Sequence, residues 1–314
     1  MQKKPLIILT GPTAAGKTKA SIGLAKSLGG EIISADSMQV YRGMDIGSAK
    51  ISTSEMEGIP HHLIDVLEPE EEFNVVRFQQ LARAALEEIY AHGHIPIVVG
   101  GTGFYIQALL YDIDFTEHES DPAYRKELED FAEEHGAEAL HALLAERDPK
   151  AAQEIHANNI KRVIRALEFY HQTGMLISKH NERERAKTSP YQFIYFVLTD
   201  DRELLYHRIE ERIDQMLADG LIEEVQKLQE RGCTRDMVSM QGLGYKEILA
   251  YLEGECTLEE AVYTLKRDTR HFAKRQLTWF RRERDVIWVD KQEFDHDEAA
   301  ILAFLLQKIR EKRI

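Results

Sequence analysis

Cysteine is nearly missing from this chain. Cys233 and Cys256 are the only two in 314 residues, and no C-x-x-C pair exists. Neither a disulfide framework nor a zinc site is supported on that count, and a reducing compartment fits. No apolar run approaches the ~18 residues of a membrane span. The amino terminus passes from Met1 through Lys3 and Lys4 straight into a short strand, without the apolar core of a secretory leader. A membrane partner is therefore not expected, and a cytoplasmic location is. Positive charge is in deficit, with 40 Lys+Arg against 54 Asp+Glu and a net charge of -14. That balance argues against a protein that coats nucleic acid indiscriminately, though it leaves room for a local basic surface. Internal repeats and low-complexity tracts are absent, and a hydrophobic fraction of 43% is enough for one large core or two modest ones.

What is present is organised around one stretch. Leu6-Ile7-Ile8-Leu9 reads as a buried strand, Gly11 and Gly16 bracket a tight loop, and Ile22, Leu24, Ala25 and Leu28 continue as a helix beyond Thr18. Gly11-Pro12-Thr13-Ala14-Ala15-Gly16-Lys17-Thr18 matches G-x-x-x-x-G-K-[ST] in the strand, loop, helix context that its mechanism requires. Backbone N–H groups and the helix N-terminus then converge on an anion. Lys17 is expected to reach the outer phosphate, and the Thr18 hydroxyl a Mg²⁺ ion.

Further along, Glu31 to Asp36 predicts a second strand, His62 to Val66 a third, and Ile95 to Val99 a fourth that runs into Gly100-Gly101-Thr102-Gly103. A helical period covers Val75 to His92. Strands alternating with helices imply a parallel sheet that gathers ligands at the strands' carboxyl ends, where Thr10, Asp36 and Gly100 fall. From residue 115 to 188 no strand is expected. Residues 117–148 hold eleven acids against three bases, and 160–187 seven bases against three acids, which reads as an all-helical insertion. Phe193 to Thr199 should return to the sheet. The expected domains are thus 1–114 with 189–314, and 115–188. Arg202 to Arg231 is helical with a break at Gly220, and Thr257-Leu258-Glu259-Glu260 is a capping box. The helix it opens sets Arg267, Arg270, Lys274 and Arg281 on one face, in a segment, 266–284, with eight bases and two acids. A short strand, Val286 to Val289, and a terminal helix, Glu298 to Arg313, complete an α/β fold: a P-loop NTPase-like parallel sheet flanked by helices, with the helical insertion and a helical C-terminal part.

On the residues alone, the ordinary reading is a P-loop kinase acting on a small molecule; a noncatalytic nucleotide-dependent RNA-binding switch is the other. A kinase usually wants an apolar strand ending in an acid that helps to hold Mg²⁺. The strand at 95–99 ends in Gly-Gly-Thr-Gly instead, so Asp36 is the acid best placed to face the cradle, with Asp65 as competitor. Gly100, Gly101 and Gly103 imply positive φ or close backbone approach, and Thr102 would offer its hydroxyl there. His61-His62 is a poor metal pair, because adjacent strand residues point to opposite faces.

Several blocks together carry a more specific likeness. Residues 11–18, Asp-Ser-Met-Gln-Val-Tyr-Arg-Gly-Met-Asp-Ile-Gly-Ser-Ala-Lys at 36–50, His-His-Leu-Ile-Asp at 61–65 and Gly-Gly-Thr-Gly-Phe-Tyr at 100–105 resemble the tRNA dimethylallyltransferase family. So do Lys-Arg-Val-Ile-Arg-Ala-Leu-Glu at 161–168, Gly-Leu-Gly-Tyr-Lys-Glu at 242–247 and Ala-Lys-Arg-Gln-Leu-Thr-Trp-Phe-Arg at 273–281. Ser48 stands where the family mostly has threonine, and the zinc-finger extension of eukaryotic relatives is absent, which points to the bacterial form. The resemblance implies transfer of a dimethylallyl group from dimethylallyl diphosphate to the exocyclic amine of the adenosine just 3′ of the anticodon, with release of pyrophosphate. Gly11 to Thr18 would then hold the leaving group with Mg²⁺, Asp36 would take the amine proton, and Thr102 would position the base or a phosphate. Arg208 or Arg212 is a further phosphate ligand that spacing does not choose between. The family pattern sets Asp36, Ser37, Met38, Gln39, Thr102, Arg125, Lys161, Arg162, Arg165, Gln241, Gly242, Gly244, Tyr245 and Lys246 against the anticodon stem-loop. The charge pattern adds Arg267, Arg270 and Lys274 for the stem. The enzyme is expected to act as a monomer.

Overall fold

The structure, a computed structural model, describes residues 3–115 and 121–314. Among them are six strands: β1 (Pro5–Thr10), β2 (Gly30–Ser34), β3 (His61–His62), β4 (Ile95–Gly100), β5 (Gln192–Thr199) and β6 (Val286–Asp290). They form one parallel sheet in the order β3-β2-β4-β1-β5-β6. β1 and β5 are near-continuous apolar runs because helices cover both faces of a parallel sheet, so neither face tolerates polar side chains. Ile7, Leu9, Ile32, Ile97 and Phe196 belong to one buried cluster with Leu24 of α1 (Lys17–Leu28) and Leu305 near the carboxyl terminus.

The chain leaves β1 outward to β2 and β3, returns to β4, and enters β5 only on the other side of β1. That reversal opens a crevice at the carboxyl end of β1, the usual place for a ligand in such sheets. Register aligns its rim: Thr10 pairs with Gly100 and Ser34 with Val99. α2 (Val75–Ala91) and α3 (Gly103–Leu110) lead into and out of β4. Asn74 caps α2 by accepting the Arg77 N–H at 3.0 Å.

The chain divides into two compact units, Met1–Leu110 with Pro190–Ile314, and Tyr111–Ser189. The second holds α4 (Pro122–His135), α5 (Ala137–Arg147), α6 (Pro149–Glu154), α7 (Ile160–Thr173) and α8 (Ile177–Arg185). It has its own core of Leu128, Leu140, Leu144, Val163, Ile164 and Leu167. Asp148 is buried where α6 begins, and its carboxylate accepts the N–H of Ala151 at 3.0 Å and of Ser178, on α8, at 2.9 Å. One short side chain thus caps two segments. Within the first unit follow α9 (Arg202–Ala218), α10 (Leu221–Glu230), α11 (Tyr245–Leu252), α12 (Leu258–Phe280) and α13 (Glu298–Lys312). The expected break is Gly220, at φ 101, and the capping box at Thr257 is formed.

The third strand is shorter than periodicity suggests. It stops at His62 because Leu63 (φ 64) and Asp65 (φ 54) turn left-handed and carry the chain off the sheet. Lys50 then takes the Asp65 carboxylate at 2.5 Å, so the competitor to Asp36 is spent on an ion pair. The second strand likewise ends at Ser34, leaving Asp36 on the loop beyond it.

Candidate active site

The cradle begins where β1 ends. A Cβ on Gly11 (φ 151) would lie 2.4 Å from the Leu198 carbonyl oxygen of β5, so only glycine lets the loop leave beside that strand. Ala14 (φ 64) and Gly16 (φ 85) then turn the loop left-handed into α1, whose first turn has no side-chain cap. Its leading N–H groups therefore lack intrahelical partners and are available to an anion. Lys17 Nζ donates to the carbonyls of Gly11 (3.0 Å) and Pro12 (2.8 Å). Burial first, and the Arg212 guanidinium second, pull its ammonium down to about 8 against the upward pull of Asp36. Lys17 is thus within reach of the charges of both Arg212 and Asp36. Thr18 lies exposed in the first turn of α1.

Asp36 is brought there by contacts of its neighbour. Ala35 donates its N–H to Val99 O at 2.7 Å and accepts the Thr102 N–H at 3.3 Å. Gly100 allows this approach, because a Cβ there would meet Ala35 O at 2.3 Å. The ends of β2 and β4 are so close that Asp36 and Thr102 share one corner. Asp36 Oδ1 accepts the N–H groups of Met38 (2.8 Å) and Gln39 (3.3 Å), which fixes the carboxylate plane. Desolvation lifts its carboxyl above the usual range, outweighing those two hydrogen bonds and the Lys17 charge.

Gln276 is a residue that sequence reasoning missed. Its Oε1 accepts the Thr13 N–H at 2.9 Å, and its Nε2 donates to Gly101 O at 3.0 Å, so one buried amide clamps the cradle to the Gly-Gly-Thr-Gly turn. The signal was available: Gln276 falls on the buried stripe of α12 with Ala273 and Phe280, where a polar side chain must find partners. Gln276→Leu should cost about 1–3 kcal/mol by stranding both backbone groups, and should raise KM for the ligand of the cradle more than it lowers kcat. Thermal melts and steady-state kinetics check both; an unchanged KM would remove the clamp.

The two candidate arginines part company. Arg208 Nη1 reaches the buried Asp200 carboxylate at 2.6 Å, which His296 also holds at 2.9 Å. Arg208 is thereby committed to a structural pair, whereas Arg212 lies near enough for its charge to act on Lys17 of the cradle.

The residues expected at tRNA divide in a similar way. Tyr245 is fully buried, its ring against Gly47 and its hydroxyl donating to Glu224 at 2.8 Å, so its side chain is a core element and not a tRNA contact. Glu224 also accepts the N–H groups of Asp45, Ile46 and Gly47 at 2.8–3.0 Å, locking the loop after Asp36. Gln39 spends its amide on Ser34, Ser48 and Ala49, and Met38 packs against Gly242. Ser37 and Lys246 are partly exposed, Gly242 sits under Met38, and Gly244 is buried at φ 95. Gln241 is exposed but donates to Arg235 O. Arg125 makes a bidentate pair with buried Glu168 at 2.6 and 2.8 Å, so half its role is to hold α4 to α7. Lys161, Arg162 and Arg165 are exposed on α7, and none makes an ion pair among the described residues. The basic face of α12 is weaker than its charge count: Arg267 pairs with Asp268 at 2.8 Å and Arg270 with Glu210 at 2.5 Å. Lys274 instead joins His271, Arg275, Thr278, Trp279 and Arg282 around a shallow cavity of about 390 Å³.

A parallel sheet of this order, with a glycine-bracketed anion cradle at β1 and its acid after β2 and not at the end of β4, defines a P-loop protein adapted to something other than ordinary phosphoryl transfer. A family model described as IPP transferase matches residues 39–283, and another, isopentenyl transferase, matches residues 4–68. The tRNA dimethylallyltransferase of Lachnoclostridium phytofermentans is 63% identical over 99% of both chains. Among solved structures, the full-length tRNA isopentenylpyrophosphate transferase of Bacillus halodurans is 49% identical, with 99% of this chain and 98% of that one covered and a TM-score of 0.74. A eukaryotic dimethylallyltransferase acting on tRNA is 31% identical over 99% of this chain and 80% of its own, with a TM-score of 0.83. The chain belongs to the tRNA dimethylallyltransferase family.

Proposed function

We propose that this chain moves a dimethylallyl group from dimethylallyl diphosphate to the exocyclic amine of the adenosine 3′-adjacent to the anticodon of tRNA, and releases pyrophosphate. The observation that carries the reading is the meeting, at one sheet edge, of a glycine-bracketed anion cradle and a desolvated carboxylate, Asp36. In the reaction the allylic C–O bond breaks and its electron pair leaves with pyrophosphate. The amine nitrogen bonds to the allylic carbon and loses its proton to Asp36. An adenine amine is a poor nucleophile, because its lone pair is delocalised into the ring, so a base with a raised pKa is the right partner. With Oδ1 held by Met38 and Gln39, Oδ2 is the atom to receive the proton. Lys17, Arg212 and the loop N–H groups neutralise charge as it develops on the leaving group, and Thr102 positions the base or a phosphate.

The residues present fit Mg²⁺: the Thr18 hydroxyl is an exposed hard-oxygen donor next to Lys17, and Mg²⁺ usually takes few protein ligands besides substrate phosphates. When bound, the ion supplies further neutralisation of the leaving group. On the second unit, Lys161, Arg162 and Arg165 offer phosphate contacts, which would help to offset the few kcal/mol needed to unstack the target base. Cradle and base come from one chain, so a monomer suffices. Among the described residues no helix is long and apolar enough to cross a membrane, and a tRNA substrate is in keeping with a cytoplasmic location. The kinase reading lacks an acid at the end of β4.

Incubation with Mg²⁺, labelled dimethylallyl diphosphate and unmodified tRNA, without ATP, should move label into tRNA with stoichiometric pyrophosphate; unlabelled tRNA would reject the reading. Two further outcomes are expected. In kcat/KM the rate should rise with pH through the raised pKa of Asp36, which must be ionised, and fall above about 8, where Lys17 loses its charge in the free enzyme. Bound diphosphate favours the ammonium, so the alkaline limb of kcat should lie higher; a kcat/KM flat through about 8 would remove Lys17 from this role. Arg212→Ala should weaken diphosphate binding without lowering the melting temperature, whereas Arg208→Ala should do the reverse by stranding Asp200. Equal effects of the two on KM would refute the division.

A further inference from the structure

At the amino-terminal edge of the sheet, opposite the cradle, three imidazoles meet on one carboxylate. Glu31, the second residue of β2, is only 2% exposed. Its Oε1 accepts from His92 Nδ1 at 2.8 Å and His94 Nδ1 at 2.7 Å, and its Oε2 from His62 Nε2 at 2.7 Å. His92 caps the end of α2, His94 immediately precedes β4 and His62 closes β3. Gly93, at φ 75, turns the chain so sharply that histidines two apart reach the same oxygen. Burial alone would raise the Glu31 carboxyl; hydrogen bonds from His62, His94 and His92 outweigh it and bring it down to about 2, so the group stays ionised.

We propose that Glu31 Oε1, His92 Nδ1 and His94 Nδ1 form a site for a zinc-class divalent ion, with His62 orienting the carboxylate through Oε2. The ligand atoms of Glu31, His92 and His94 already lie within 4.8 Å of one another. Ligands at about 2.0–2.2 Å in tetrahedral array stand about 3.4 Å apart, so each Nδ1 has to move away from Oε1 by less than about 1 Å, and the two Nδ1 atoms have to settle at that separation from within 4.8 Å. Both imidazole side chains are about half exposed, 48% and 47%, which gives them room to move and gives the ion an entry path. Binding moves each ring's proton from Nδ1 to Nε2 and keeps the imidazole neutral, so the buried carboxylate meets a cation without new repulsion. Two imidazoles and one carboxylate suit zinc over magnesium, and three protein ligands leave the fourth position to water. His62 on the second oxygen is the outer partner that such carboxylates usually have. The ion would tie α2 and β4 to β2, far along the strands from the chemistry, and would act on stability and not on turnover.

The test uses the full chain, stripped with a chelator and titrated with Zn²⁺ and Co²⁺. One equivalent should bind, Co²⁺ should give the visible absorption of a tetrahedral site, and Zn²⁺ but not Mg²⁺ should raise the melting temperature. His92→Ala with His94→Ala should abolish the equivalent; both positions are half exposed, and circular dichroism would verify that the variant folds. His62→Ala should keep the stoichiometry and weaken binding by about 10–100-fold. Prenyl transfer should be unchanged in both. Failure of the wild-type chain to bind one equivalent, or equal binding by the double variant, overturns the site while leaving the proposed reaction untouched.

Discussion

Asp36→Asn is expected to lower turnover by about 10²–10⁴-fold, the usual contribution of a positioned proton acceptor, with tRNA and diphosphate binding retained. Asparagine keeps the size of the side chain and an Oδ1 that accepts the N–H groups of Met38 and Gln39, so the turn after β2 survives. What is lost is the oxygen that can take a proton. Stability gives an independent sign. A carboxyl whose pKa is raised in the fold binds its proton more tightly folded than unfolded, so above the unfolded pKa its ionised form costs stability. The variant should therefore melt at the wild-type temperature or higher at neutral pH. Single-turnover transfer, tRNA binding and thermal melts make the three measurements. Near wild-type turnover would remove Asp36 as base, and a loss of binding matching the loss of rate would make it a ligand instead.

Gly100→Ala should be the most damaging small substitution at the site. The new Cβ would lie 2.3 Å from Ala35 O, 2.5 Å from its carbonyl carbon and 2.9 Å from its Cα, all backbone. Ala35 cannot withdraw without breaking its bonds to Val99 and Thr102. Overpacking of this kind usually costs about 1–3 kcal/mol and sometimes more. Because Asp36 follows Ala35, the relaxation that relieves the clash also moves the Asp36 carboxylate. Turnover should consequently fall further than the lost stability explains, measured at a temperature where the variant is fully folded. Gly43→Ala is the control: nothing lies within 4 Å of its Cβ, so only the left-handed φ of 71 opposes it. A Gly100→Ala protein with wild-type melting and turnover would mean that β2 and β4 do not hold Asp36 and Thr102 together in this way.

Much of this arrangement is local, and local order is what sequence pattern reports. The strand, loop and helix at residues 5–28, the capping box at Thr257, the break at Gly220 and the absence of strands among the described residues from 121 to 188 each follow from spacing and from residues with restricted backbones. The third strand fails for a local reason that pattern cannot see: Leu63 adopts positive φ although leucine rarely does, and Asp65, of a residue type enriched there, follows it. Charge counting along α12 overstated its unpaired charge for a different reason, since Glu210 and Asp268 pair with two of its arginines.

The sequence by itself determined the cradle, the parallel sheet and, through its ordered motifs, the family. Those features are written in residues near one another in the chain, where steric limits and periodicity act directly. Tertiary structure alone decided the rest: that Arg208 pairs with Asp200 while the charge of Arg212 acts on Lys17, that Gln276 clamps two loops from 175 or more residues away, that Tyr245 is interior, and that Glu31 gathers three histidines. Each depends on which buried polar group finds its partner across the fold. That is a matter of packing, and spacing along the chain does not encode it in readable form.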